Sequence, residues 1–188
     1  MIFKKANFAR VLNNIYFVKN EPVSLVHFVT NRCNARCSFC FIDFDDENIF
    51  KDELSLKEIN KLTKNLGKSI VNVNFTGGEP FARKDLIDIA RHYCNNSTIQ
   101  SIYITTNGSL PERIENFCRQ ITKEFPYIII SISISIDDIL ESHDEIRKIG
   151  AGVVVDRSTN LIKELGKNKF DIVIDVVAGS NWPQLLDI

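Results

Sequence analysis

The sequence lacks the features that mark fibrous or disordered chains. Glycine and proline contribute only 8 and 5 of the 188 residues, and no segment is of low complexity. Hydrophobic residues make up 44% of the chain and charged residues 25%, which is close to the average of globular proteins. A chain of this length and composition can bury one substantial core, so we expect one folded domain.

An excess of charge of one sign is also missing. The 23 lysines and arginines nearly balance the 24 aspartates and glutamates, and the basic residues are scattered along the chain. A nucleic-acid-binding surface needs a concentration of basic side chains. We therefore expect no DNA or RNA partner.

Long apolar runs are absent. The longest, residues 127–136, is interrupted by serines and is too short to cross a bilayer. Residues 1–20 carry early lysines, but asparagines and an arginine break up what would be the apolar core of a signal peptide. We therefore expect a cytoplasmic protein with no membrane partner.

Short apolar runs and amphipathic segments alternate along the chain. Runs rich in valine, isoleucine and phenylalanine are typical of buried strands, and they fall at residues 23–29, 70–75, 99–105, 127–135 and 170–177. Helical patterns lie between the first four runs, at residues 56–66, 86–94 and 111–125. The first of these helices has a predicted capping box, Ser55 with Glu58, and Gly67 after its last turn. Alternation of this kind predicts an α/β fold with a parallel sheet or barrel.

Five cysteines are present, and three of them, Cys33, Cys37 and Cys40, crowd into eight residues after the first predicted strand. In a reducing compartment such cysteines are thiols or metal ligands rather than disulfides. Three thiolates at this spacing can bind three irons of a [4Fe-4S] cubane and leave the fourth iron open. The alternative is a structural zinc site, which needs a fourth ligand that the neighbouring sequence does not supply. Cys94 and Cys118 fall on apolar helix faces, so we expect both to be buried core thiols.

Polar residues also follow the other predicted strands. In parallel folds, functional groups gather at the carboxyl ends of the strands. The second strand is followed by Gly77-Gly78-Glu79-Pro80, in which the glycines permit close approach of a ligand and Glu79 suits an ammonium group. Thr-Asn-Gly follows the third strand and Ser-Ile-Asp ends the fourth, although either could be an ordinary turn.

The C-x-x-x-C-x-aromatic-C array, followed in order by Gly-Gly-Glu-Pro, Thr-Asn-Gly and Ser-Ile-Asp, resembles the radical S-adenosylmethionine (SAM) superfamily from about residue 23 to residue 147. The resemblance implies a partial parallel (β/α) TIM-like barrel. It also implies that Cys33, Cys37 and Cys40 hold a [4Fe-4S] cluster whose open iron is chelated by SAM. The further cofactor contacts that it implies are Phe39 beside the adenine, Gly77, Gly78 and Glu79 at the SAM amino group, Pro80 shaping that turn, Thr105, Asn107, Ser135 and Asp137 at the ribose, carboxylate or substrate, and Arg147 at the carboxylate.

The activity implied by the resemblance is reductive cleavage of SAM to a 5′-deoxyadenosyl radical, which abstracts hydrogen from a substrate. The sequence does not identify that substrate, which could be a small molecule or a peptide, and it singles out no further catalytic residue. An electron donor such as flavodoxin or ferredoxin is the expected partner. The alternative is a non-catalytic iron-sulfur or zinc module, a truncated relative that no longer turns over.

The last forty residues match the family less well. Residues 150–155, Gly-Ala-Gly-Val-Val-Val, are β-prone and faintly resemble a nucleotide-binding dehydrogenase, although the third glycine of that fingerprint is missing. We expect residues 1–22 to be an N-terminal extension and residues 23–188 to be a core of about five βα units. We also expect this core to be truncated before a sixth strand.

Overall fold

The computed structural model describes residues 8–46, 48–51, 53–137 and 145–149, and the backbone of residues 171–173. Five strands form one sheet in the order β1-β2-β3-β4-β5, and each neighbouring pair is parallel. The strands are β1 (Ser24–Thr30), β2 (Asn72–Gly77), β3 (Ser101–Thr106), β4 (Ile129–Ile134) and β5 (Asp171–Val173). The helices are α1 (Phe8–Asn13), α2 (Leu56–Asn65), α3 (Leu86–Asn96) and α4 (Pro111–Glu124).

The predicted α/β fold is confirmed. Each strand lies beside the next one in the chain, which is the order of a (β/α) barrel, whereas a dinucleotide-binding sheet reverses its order at a switch point. The first four strands and the helices α2 to α4 begin close to their predicted positions, whereas α1 and the π-helix after it (Asn14–Val18) were not predicted. Residues 150–170 and 174–188, which include the Gly-Ala-Gly motif, lie outside the described residues.

Helix α2 shows why the helix predictions succeeded. The side chain of Ser55 accepts a hydrogen bond from the Glu58 backbone N–H, and Glu58 accepts one from the Ser55 backbone N–H at 2.8 Å. This reciprocal capping box satisfies two donors that the first helical turn leaves unpaired. At the other end, Gly67 has a φ of +79°, a left-handed conformation that glycine adopts without strain.

The hydrophobic core lies between the sheet and helices α2, α3 and α4. Alternate strand residues such as Val73, Phe75 and Ile102 are fully buried there. Cys94 and Cys118, on α3 and α4, are 1% and 4% exposed, so the prediction that both are core thiols is confirmed. This face of the sheet is sealed by apolar contact.

The opposite face of the sheet is open in the part of the chain that the structure describes. The exposed apolar side chains there include Val26, Phe28 and Tyr103, and the half-buried Asn74 lies on the same face between core positions. The prediction that the strands are buried was therefore wrong for this face among the described residues. No described helix covers it, whereas three helices cover the other face.

The segment before β1 is tied to the amino end of the sheet. The Glu21 carboxylate accepts hydrogen bonds from Ser69 Oγ at 2.6 Å, from Arg10 at 2.8 Å and from the Lys68 backbone N–H at 3.1 Å. These bonds, the Ser69 bond first, lower the pKa of Glu21 to about 2. The predicted boundary between an N-terminal extension (residues 1–22) and the core remains a prediction. No helix of the described residues is long and apolar enough to cross a membrane.

Candidate functional site

The cysteine loop, residues 31–40, leaves the carboxyl end of β1. Cys33, Cys37 and Cys40 are half-buried free thiols. Two backbone hydrogen bonds hold the middle of the loop against the segment 145–149, because Arg36 N–H donates to Arg147 O at 2.9 Å and Ser38 N–H donates to Ile146 O at 3.4 Å. Arg147 is thus beside the loop that carries the cysteines.

The three thiols are electrostatically coupled. Burial raises the pKa of Cys33, and the charges of Glu79, Cys37 and Cys40 raise it further, against an opposing hydrogen bond from Ala35 N–H. Burial also raises the pKa of Cys37, while Arg147 lowers it. Three neighbouring thiolates are therefore costly without a cation, and a bound metal centre supplies the missing positive charge.

This donor set fits an iron-sulfur cluster better than a zinc ion. Among the described residues, no three histidine, cysteine, aspartate or glutamate side chains converge closely enough to hold one metal ion. Structural zinc requires such convergence. A cubane does not, because each cysteine binds a different iron.

The Gly77-Gly78 pair packs directly against the start of the cysteine loop. Gly78 N–H donates to Thr30 O and Glu79 N–H donates to Arg32 O, each at 2.8 Å. Gly77 has a φ of +125°, and a Cβ atom there would lie 2.1 Å from Thr30 O. A Cβ atom on Gly78 would lie 2.3 Å from Arg32 O. Both positions therefore require glycine for contact between the two loops.

Glu79 is fully buried and joins two loops. Its carboxylate accepts hydrogen bonds from Thr106 Oγ1 and Asn107 N–H at 2.8 Å and from Phe81 N–H at 3.0 Å. Burial raises the pKa of Glu79, and these three bonds oppose the rise. Since a carboxylate offers about four acceptor positions, protein donors already fill most of them.

The side chain of Asn107 extends from the β3 loop to the cysteine loop. Its Nδ2 donates to Asn34 Oδ1 at 2.9 Å and lies 3.9 Å from Cys33 Sγ. Its Oδ1 accepts from Ser109 N–H at 3.0 Å and from Ser109 Oγ at 2.6 Å. Two sequence-predicted site residues, Cys33 and Asn107, are thus neighbours.

Asp137 and Arg147 form an ion pair beside the cysteine loop. The Asp137 Oδ2 and Arg147 Nε atoms are 2.5 Å apart, and both side chains are 9% exposed. The pair is close enough to Cys37 for both charges to affect the pKa of that thiol. Removal of either partner would leave the other charge buried and uncompensated.

The remaining predicted residues lie on the same rim of the sheet. Phe39 is 62% exposed, whereas Pro80 is buried at the start of a short 3-10 helix (Pro80–Ala82). Thr105 is half-buried and faces the open side of the sheet, since its neighbours Ile104 and Thr106 are buried toward the other side. Ser135 N–H donates to Thr106 O at 2.9 Å.

Two residues of the rim were not predicted. The first is Arg83, which donates hydrogen bonds to Val29 O and to Leu54 O, the latter at 2.7 Å. It also donates to Asp85 Oδ1 at 2.7 Å, so it connects the end of β1 with the following loop and with the start of α3. Thr106, the partner of Glu79, follows the predicted Thr105. The period of two along a strand could have identified it, because adjacent residues face opposite sides of a sheet.

A sequence profile described as the Radical SAM superfamily matches residues 28–188. The chain belongs to the radical SAM superfamily. This membership confirms the predicted resemblance. It also confirms the predicted cofactors for the superfamily, whose members use a [4Fe-4S] cluster and SAM.

Relatives of this radical SAM chain include enzymes with different substrates. The chain is 29% identical over 167 residues to GTP 3',8-cyclase of Alkaliphilus metalliredigens, covering 85% of this chain and 49% of that protein. It is 31% identical over 137 residues to Fe-coproporphyrin III synthase of Methanosarcina barkeri, covering 71% of this chain and 32% of that protein. The radical SAM chain therefore spans about half the length of the cyclase (49%) and about a third of the length of the synthase (32%).

Solved structures of Streptococcus suis SuiB share the fold. The form bound to the precursor peptide SuiA superposes with a TM-score of 0.53 at 20% identity, covering 76% of this chain and 31% of SuiB. The form bound to SAM gives a TM-score of 0.50 with the same identity and coverage. At this identity the likeness shows a shared fold alone.

Proposed function

We propose that this chain carries the cofactor-binding part of an enzyme that reductively cleaves SAM. One observation supports this most strongly. The loop with Cys33, Cys37 and Cys40 is hydrogen-bonded both to the Gly77-Gly78 turn and to the Asn107 loop, on one rim of a parallel sheet. The cluster, when bound and reduced, supplies the electron that splits SAM and yields a 5′-deoxyadenosyl radical able to abstract hydrogen from a substrate.

We propose that the three cysteines bind three irons of this cluster. Burial and the charges of neighbouring thiolates raise the pKa values of Cys33 and Cys37, so these two groups ionise more easily beside a bound cation than alone. Metal binding offsets that repulsion. Each of the three cysteines is also half-buried.

The predicted SAM contacts remain a proposal. Arg147 is suited to the SAM carboxylate because a guanidinium binds carboxylates through two hydrogen bonds, and Asp137 orients it. Thr105 and Ser135 offer hydroxyl groups to the ribose, and the exposed ring of Phe39 can pack against the adenine. Glu79 contributes mainly by shaping the turn, because three protein donors already occupy its carboxylate.

The substrate, partner and location are also proposals. We propose that a small-molecule or peptide substrate lies over the open face of the sheet, next to the cysteine loop. The relatives' names support both classes, since one acts on GTP and SuiB was solved with a precursor peptide. We further propose an electron donor such as flavodoxin or ferredoxin, a cytoplasmic location, and a catalytic core that begins at residue 23.

The proposed function can be tested without knowing the substrate. The protein is purified without oxygen, reconstituted with iron and sulfide, reduced with dithionite and incubated with SAM. We expect a brown protein that forms 5′-deoxyadenosine only when dithionite is present. A brown protein that forms none would favour the non-catalytic module, and a colourless protein with one bound zinc would exclude both cluster functions.

A further inference from the structure

The amide of Asn107 has a defined orientation. Its Oδ1 accepts hydrogen bonds from the backbone N–H and the hydroxyl of Ser109. A backbone N–H can only donate, so the oxygen of the amide must face Ser109 and the NH2 group must face away from it. The NH2 group therefore points toward the cysteine loop.

The NH2 group has two hydrogens and two acceptors within reach. Nδ2 lies 2.9 Å from Asn34 Oδ1 and 3.9 Å from Cys33 Sγ. Asn34 is itself held, because its Nδ2 donates to Ser109 Oγ at 2.8 Å. The three polar side chains form a closed ring that positions the amide beside the sulfur.

The backbone of Asn107 is held as firmly as its side chain. Its N–H donates to Glu79 Oε2 at 2.8 Å, and Glu79 is fully buried. The residue is therefore anchored from the Gly-Gly-Glu turn on one side and from the cysteine loop on the other. An amide fixed in this way loses little entropy when it donates to sulfur.

A hydrogen bond to a cluster sulfur affects electron transfer. Reduction adds negative charge to an iron-sulfur cluster, and an N–H donor at a cysteine sulfur stabilises that charge. Cys33 already accepts a bond from Ala35 N–H at 3.3 Å. The Asn107 amide is a second donor to the same sulfur, and at 3.9 Å it is the longer and weaker of the two.

We infer that Asn107 is a positioning residue that raises the reduction potential of the cluster through an N–H···S hydrogen bond to Cys33. The inference rests on the proposed function only in requiring that Cys33 ligates a cluster. It gives Asn107 a different task from contact with SAM or substrate. The readout is a potential, which a purely structural role for the side chain would leave unchanged.

The test is a redox titration of the reconstituted protein in the absence of SAM, in which electron paramagnetic resonance measures the fraction of reduced cluster. Asn107→Leu removes the donor at similar volume. We expect the ratio of reduced to oxidised cluster at a fixed potential to fall about tenfold, which corresponds to about 59 mV for a one-electron couple. Asn116→Leu, a change at an exposed asparagine on α4, is the matched control and should leave the potential unchanged.

Asn107→Asp keeps an oxygen for Ser109 and replaces the donor with a negative charge, so we expect a larger fall in the ratio than for Asn107→Leu. This variant also serves if Asn107→Leu does not bind iron. A potential equal to or above that of the wild type in either iron-loaded variant would overturn the inference alone. A wild-type protein that takes up no cluster would instead overturn the proposed function, and this inference with it.

Discussion

The helix-covered face of the sheet and its carboxyl rim are both buried, but they are held together in different ways. The covered face is lined by apolar side chains such as Phe75 and Ile104, which need only be kept away from water. At the rim, Glu79 and Thr106 are as well buried, yet each has directed hydrogen bonds to a neighbouring loop. Burial of a carboxylate is tolerated only with such partners.

The two regions should therefore be sensitive to different kinds of substitution. Loss of volume on the covered face should lower the free energy of unfolding without altering the cofactor site directly. Loss of a polar group or a glycine at the rim should alter cofactor binding more than it alters stability.

The largest effect is expected from the cysteines, which occur in both regions. Cys37→Ala should abolish cluster binding, because one of three iron ligands is removed. Cys94→Ala, at a core position that is 1% exposed, should keep the full iron content and lower the stability instead. Iron analysis and the visible spectrum of the reconstituted proteins measure the outcome. Normal iron content in Cys37→Ala would show that this cysteine is not a cluster ligand and would contradict the distinction between rim and core cysteines.

A large loss of stability is expected at Phe75, which is fully buried beneath α3. Phe75→Ala should lower the free energy of unfolding by roughly 3–5 kcal/mol, since a cavity replaces the ring. Phe39→Ala, at a ring that is 62% exposed on the rim, should change it by less than about 0.5 kcal/mol. Urea denaturation of both variants provides the measurement, and equal losses would contradict the division.

A smaller effect is expected when the pH is lowered, because of a histidine on the covered face. His27 is buried, lies 3.0 Å from the Tyr93 hydroxyl through Nδ1, and has a pKa lowered from 6.5 to about 4, first by burial and then by the charge of Arg83. The unfolded chain therefore binds the proton first as the pH falls. The free energy of unfolding should decrease by roughly 3 kcal/mol between pH 6.5 and pH 4.

The matched variant for this pH dependence is His27→Gln, which removes the titrating ring and keeps hydrogen-bonding groups near Tyr93. Urea unfolding at several pH values should show a shallower decline for the variant than for the wild type below pH 6.5. Parallel curves for the two proteins would show that His27 does not contribute. Above about pH 8 the ring is neutral in both states, so no difference in slope is expected there.

The smallest effect is expected at the helix cap. Ser55→Ala removes the acceptor for the Glu58 backbone N–H and should lower the free energy of unfolding by about 1 kcal/mol. Because Ser55 follows the long loop after the cysteines, iron content should be measured on the same sample. Unchanged iron content would show that the cap affects stability alone. A loss of iron as well as stability would show that the two regions are coupled through α2.

Much of the fold could be predicted because the relevant signals are local. The apolar spacing of α2 and its Ser55–Glu58 box involve residues within one or two turns of each other, so the pattern is complete in the sequence. The cysteine spacing is local in the same sense. The prediction that the strands are buried failed for the described open face, since a run of apolar residues does not reveal which element covers it.

The roles of the rim side chains could be predicted only in part. The sequence placed Glu79 and Asn107 after successive strands, and parallel pairing puts both on one rim. It could not indicate that Thr106, rather than Thr105, meets Glu79, or that the Asn107 amide turns to Cys33. These contacts join residues far apart in the chain, and their geometry depends on how closely the loops approach.

The succession of strands and helices, the cysteine loop and the glycine turn can be read from the sequence, because each depends on the chemistry of neighbouring residues. The partners of the polar groups depend instead on how the chain packs. The Gly77-Gly78 turn lies against Thr30 and Arg32 because two strands pair in one register, and that approach buries Glu79 among three donors. Hydrogen bonds weaken steeply with distance and angle, so their partners are set by packing.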